Sequence, residues 1–187
     1  MNILQASDLA ALGLSIRLAL TSVVILMLIG LPLAYWLART TKSWKVYIEA
    51  IVTLPIILPP TVLGFYLLLV LGRNGWFGKL WTSLFGHPMA FSFSGLVVGS
   101  VLYSLPFVIK PLQNAFAAIR SSPLEAAATL GAGPLDRFFS LALPLSKPGI
   151  ITAMTLGFAH TIGEFGVVLM IGGNIPNKTE EIGRAHV

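Results

Sequence analysis

An all-α, polytopic transmembrane helical bundle is the fold this sequence predicts, on three observations. Of 187 residues, 56% are hydrophobic and 10% are charged, whereas a soluble domain carries about 25% charged residues. Four apolar runs are each long enough to cross a hydrocarbon core as a helix, which takes about 20 residues. Strand periodicity is missing, which argues against a β-barrel. The chain has no cysteine, so a disulfide framework, a thiolate metal site and a cysteine nucleophile are excluded. Glycine and proline lie inside or beside the apolar runs, not in linkers, which excludes collagen and disorder.

The first run, 18–38, is uncharged and contains Pro32; it lies too deep in the chain for a cleaved signal peptide. The second, 50–72, is also uncharged, with Pro55, Pro59 and Pro60 near its start. The third, 91–109, is closed by Lys110 and Pro111. The fourth, 149–173, alone holds ionisable residues, His160 and Glu164. Orientation follows from lysine and arginine. Arg39, Lys42 and Lys45 follow the first run, and Lys110, Arg120, Arg137 and Lys147 lie between the third and fourth, seven charges on one side. Arg17, Arg73, Lys79 and Lys178 are spread over the other side. The N-terminus is therefore expected outside and segment 110–148 in the cytoplasm. Trp36 and Trp44 flank the inner boundary, and Trp76 and Trp81 fall in an outer loop, as an aromatic belt requires. The net charge of +5 needs no nucleic acid to explain it; positive-inside bias and anionic lipid suffice.

Segment 121–144 is the least membrane-like part of the chain. Ser122, Pro123 and Glu125 read as a helix start, with Ser122 as cap, Pro123 at the first position and Glu125 completing a capping box. Gly131 is a suitable left-handed stop. Gly133 and Pro134 open a second short helix that runs through Asp136 and Arg137 to Leu143 and Pro144. From these residues alone an ordinary helical cytoplasmic loop remains a full competitor.

The spacing Glu125-Ala126-Ala127, then Gly131, Leu141, Leu143 and Pro144 resembles the EAA motif of ABC-importer permeases; Leu141 stands where isoleucine is usual, a volume-conserving change. The resemblance implies the fold of a type I importer permease (the MetI-like kind) in a bacterial cytoplasmic membrane. It also implies that Glu125, Ala126, Ala127, Gly131, Leu143 and Pro144 form a coupling segment that docks on an ATP-binding subunit. The sequence carries no G-x-x-x-x-G-K-[ST] phosphate loop. ATP and its magnesium are thus expected on the partner, with no cofactor on this chain and no covalent chemistry of its own.

Two further stretches narrow the resemblance. Residues 53–66, with Pro55, Pro59, Pro60, Thr61 and Gly64, are similar to the second core span of molybdate and sulfate permeases. Residues 158–166, containing His160, Thr161, Gly163, Glu164 and Gly166, followed by 171–176, look most like the molybdate branch. What the resemblance implies is a homodimer of permeases, two ATP-binding subunits and an extracytoplasmic molybdate-binding protein, all at the bilayer. Sulfate, thiosulfate and tungstate are the alternative substrates. A dianion needs hydrogen-bond donors and fixed dipoles, which broken helices supply. The prolines at 55, 59 and 60 and the pair Gly163 and Gly166 are plausible breaks. Thr61 and Thr161, with Ser92, Ser94, Ser100 and Ser104, are candidates to line a path or to serve packing.

Glu164 would repel a dianion, so a structural role, accepting backbone hydrogen bonds, suits it better. His160 and Glu164 have the i, i+4 spacing of a metal pair, but no third ligand matches. An intramembrane enzyme using these two as acid and base would need another catalytic group, and the runs offer none. A single domain, 1–181, is expected to stop short of a last span, and 182–187 reads as a translated sequencing-adapter remnant.

Overall fold

The computed structural model describes residues 6–173 and 175, and every regular element in that range is helical. Helix α1 (Ala6–Arg39) and helix α5 (Phe93–Ala117) are the two unbroken spans. With 25 residues, α5 is about 37 Å long, enough to cross the bilayer. The sequence placed its end near Ile109; instead the helix carries on through Lys110 and Pro111 for two further turns.

The second run is not one helix. It forms α2 (Lys45–Ile57) and α3 (Pro60–Leu71), bent by 112° at the break. The two adjacent prolines dictate the position. A residue that precedes proline is pushed out of the helical region, and both Leu58 (ψ 135°) and Pro59 (ψ 137°) are extended. Pro60 then fits the first position of α3, where a missing N–H costs nothing. Outside the α3 end lies α4 (Trp76–Phe85), closed by Gly86 at φ +75°.

The fourth run is also interrupted. Helix α9 (Lys147–Gly163) ends in an extended Glu164, and α10 (Gly166–Gly172) begins after it. Before α9, the segment 134–145 bends into it by 76° at Ser146. The interruptions inside 50–72 and 149–173 fall at Pro59–Pro60 and between Gly163 and Gly166, because proline pairs and glycine-flanked residues break helices inside apolar sequence.

The core is a packing of α1, α5 and α9. Leu26, Leu37, Ile109, Leu112, Phe116 and Ala153 are fully buried in one cluster. Gly157 lets α9 come close to α5: a Cβ there would lie 2.6 Å from Val108 Cγ2. A second cluster joins α3 and α10 through Leu71, Val167 and Ile171. Large apolar side chains on α2 and α3, among them Ile51, Ile57, Phe65 and Tyr66, face outward. Trp36 and Trp44 meet at 4.7 Å between ring centroids, where α1 ends and α2 begins.

Candidate functional site

The segment between α5 and α9 opens with α6 (Ser121–Thr129). Its start differs from the expected one. Arg120 is the extended residue before the helix and makes no side-chain cap, so Ser122 and Pro123 are its second and third residues. A serine already in helical conformation cannot cap. Pro123 is tolerated because the first-turn N–H groups have no intrahelical acceptor.

The other end is as the glycine required. Gly131 takes φ +89°, its N–H bonds to the Ala128 carbonyl, and the Ala132 N–H reaches back to the Ala127 carbonyl. That pair of bonds is the Schellman closure of a helix. Leu124 is the buried anchor of α6, whereas Glu125 and Ala126 are exposed and Ala127 is half-buried. Among the described residues Glu125 has no ion pair.

The return path begins with α7 (Pro134–Arg137), with Gly133 as its cap residue and Pro134 at the first position. A widened π turn, Phe138–Ala142, follows, and then α8 (Leu143–Leu145). Pro144 has no N–H for the carbonyl one turn back, and its ring crowds that carbonyl. The π turn, in which the Leu143 N–H bonds to the Phe138 carbonyl, relieves the conflict. Leu143 packs on the main core and Pro144 is exposed.

The second set of candidates meets where α3 and α10 begin. A Cβ on Gly166 would lie 2.6 Å from Pro60 Cβ, so the two breaks touch. Gly64 does the same one turn along, 2.8 Å from Met170 Cβ. Glu164 is 5% exposed, and its Oε1 accepts the Val167 N–H at 2.7 Å, capping α10. Thr61 is exposed in the first turn of α3, and Gly163 is exposed at the end of α9.

Thr161 takes the packing option. It is buried, bonded to Ser104 at 3.0 Å across α5 and α9, and also donates to the Gly157 carbonyl. His160 and Glu164 do not share a helix face, because α9 ends between them. The imidazole instead stacks on Phe107, 3.7 Å between centroids, and on Tyr103. Among the described residues no group of three metal-ligating side chains exists.

Replacing Glu164 by leucine leaves the buried Val167 N–H without its acceptor, which costs about 1–3 kcal/mol. Glutamine retains an acceptor oxygen and should lose less. The thermal midpoint of the purified protein in detergent checks the order: parent, then Gln, then Leu; equal values for Leu and parent would remove the capping role.

Three polar residues escaped the sequence reading. Gln113 on α5 donates to Glu49 on α2, which also pairs with Lys45 at 3.8 Å. Arg39, counted there only as a topogenic charge, donates to the carbonyls of Phe116 and Ile119. Only tertiary contact could have singled these out. The residues at 182–187, and Asn174 and Pro176 of the 171–176 stretch, lie outside the described residues.

Against known proteins, residues 26–183 match the family described as binding-protein-dependent transport system inner membrane component. The chain is 58% identical over 179 residues to the molybdenum transport system permease protein of Azotobacter vinelandii, covering 96% of this chain and 79% of that protein. It is 35% identical over 175 residues to the molybdenum transport system permease protein of Haemophilus influenzae, covering 94% and 76%. A probable sulfate transport system permease protein of Helicosporidium sp. subsp. Simulium jonesii is 35% identical over 167 residues, covering 89% and 62%.

Proposed function

This chain belongs to the family of binding-protein-dependent transport system inner membrane components, and from that premise we propose that it is the permease subunit of an ATP-driven molybdate importer. The observation that carries the substrate is the 58% identity to a molybdenum transport permease over 96% of this chain, above the 35% to a sulfate one and to a second molybdenum one. Two copies form the pathway in this reading, and a binding protein delivers the anion from outside. Two ATP-binding subunits, carrying ATP and magnesium, dock from inside on α6. The seven basic residues at 39–45 and 110–147 support a cytoplasmic α6 and an external N-terminus.

The exposed Glu125–Ala126 face, the Schellman closure at Gly131 and the Leu124 anchor support the docking role, since a rigid helix passes on a push that a loose loop would absorb. The touching breaks at Pro60 and Gly166 support a discontinuous-helix gate, with Thr61 at the open end of α3. Transport then follows population shifts between inward- and outward-open states as ATP binds and is released.

The test is uptake of labelled molybdate by membrane vesicles holding the permease, its ATP-binding subunit and its binding protein. Tungstate, a near-isostere, should compete and sulfate should not. Strong competition by sulfate would move the chain to the branch of the probable sulfate permease that is 35% identical.

A further inference from the structure

The last turn of α1 grips both ends of the cytoplasmic segment. Arg39 closes that helix, is half-buried, and its Nη2 donates to the Phe116 carbonyl at 3.1 Å and to the Ile119 carbonyl at 3.0 Å. The first carbonyl lies in the last turn of α5, which stops at Ala117, and the second in the turn 118–120 that leads to Ser121, where α6 starts. Phe116 lies in the last turn of α5, at the negative end of the helix dipole, and the Ile119 carbonyl belongs to the turn just beyond it, so a guanidinium is a fitting partner there.

Four residues earlier, on the same face of α1, Tyr35 meets Phe116 edge-on at 5.4 Å and Phe138 at 5.0 Å. Phe138 opens the π turn on the way back from α6 to α9. One turn of α1 therefore holds the outgoing joint by hydrogen bonds and the returning one by ring contact. Without these hydrogen bonds the turn 118–120 keeps the Ile119 N–H bond to the Phe116 carbonyl and the Ile119 contact with the core, but loses its tie to α1.

We propose that Arg39 is a positioning residue for energy coupling: it braces the α5–α6 joint, so that a displacement of α6 turns α5 instead of being lost at residues 118–120. This rests on the reading that α6 docks on the ATP-binding subunit. The brace acts on the permease side of that contact, so losing it uncouples transport from hydrolysis without releasing the partner.

The experiment uses the whole transporter in proteoliposomes, with Arg39→Met, Arg39→Lys and Glu125→Arg permeases beside the parent. Three quantities are read: ATP-binding subunit retained on purification, ATP hydrolysed, and molybdate taken up per ATP. Arg39→Met should retain the subunit and its basal hydrolysis, while uptake per ATP falls about tenfold, the size expected for losing charge-assisted hydrogen bonds of this kind. Arg39→Lys, with a charge but no fork, should fall between the two. A simple loss of folded protein lowers all three quantities together and leaves the ratio unchanged.

An unchanged ratio in Arg39→Met overturns the proposal; if that variant does not assemble, an unchanged ratio in Arg39→Lys does so. Glu125→Arg separates the two levels. If it keeps the ATP-binding subunit, the docking reading falls and this inference with it. If it loses the subunit while Arg39→Met still couples as the parent does, only the inference falls.

Discussion

Glu125→Arg permease should reach the membrane folded, yet purify without its ATP-binding subunit and take up no molybdate. The side chain is exposed and, among the described residues, forms no ion pair. Its replacement therefore leaves Leu124 seated and the Gly131 closure intact. The fold keeps its supports, and only the face offered to the partner changes sign. Losing one partner of a buried charged contact costs about 2–5 kcal/mol in binding, and a like-charge clash adds to it. That corresponds to at least about thirtyfold in affinity. Glu125→Gln, which removes the charge without reversing it, should give a smaller loss. Co-purification and the detergent thermal midpoint, measured together, check it. Full retention of the ATP-binding subunit by Glu125→Arg would detach α6 from docking.

Much of this fold is legible in the sequence, and the parts that are not share a physical cause. Gly131 and Pro134 speak through backbone geometry alone, a left-handed φ and a fixed φ, so the end of α6 and the start of α7 fall where the residues place them. The start of α6 does not, because Ser122 can cap only from outside the helix. Arg120 leaves α5 already extended, and the helix begins one residue before the expected cap has a chance to act. Pro59 and Pro60 announce a break, but a bend of 112° is set by what α3 packs on, which is α10, more than a hundred residues later.

Tertiary context also overrode spacing. His160 and Glu164 have helical spacing in the sequence, but the helix ends at Gly163, and Glu164 turns to the Val167 N–H while His160 stacks on α5 aromatics. Thr161 reads in the sequence as a packing residue before a path-lining one, and its bond to Ser104 places it in the α5–α9 seam. Arg39 read as a topogenic charge because its acceptors are backbone carbonyls about eighty residues away, to which side-chain patterns are blind.

The seam between the two broken helices carries the other large effect. Gly166→Ala and Gly64→Ala should each lower the thermal midpoint and cut uptake sharply, although each adds a single methyl group. At Gly166 the new Cβ would sit 2.6 Å from Pro60 Cβ, a ring atom with no rotamer to escape into. At Gly64 it would meet Met170 Cβ at 2.8 Å and the Val167 backbone at 3.2 Å, so α3 and α10 must separate. Overpacking of this kind costs about 1–3 kcal/mol, roughly several degrees for a chain of this size. Separation also shifts Val167, whose N–H is bonded to Glu164, so the junction loses its alignment along with its contact. Gly13→Ala is the control, since nothing lies within 4 Å of a Cβ there; it should hold the parent midpoint or exceed it, alanine being the better helix former. The double variant Gly64→Ala/Gly166→Ala should fall short of the sum, because one separation of the same two helices makes room for both methyls. Midpoints of Gly166→Ala and parent that coincide would mean the two breaks slide past each other freely. In that case the gate would have to be sought elsewhere in the bundle.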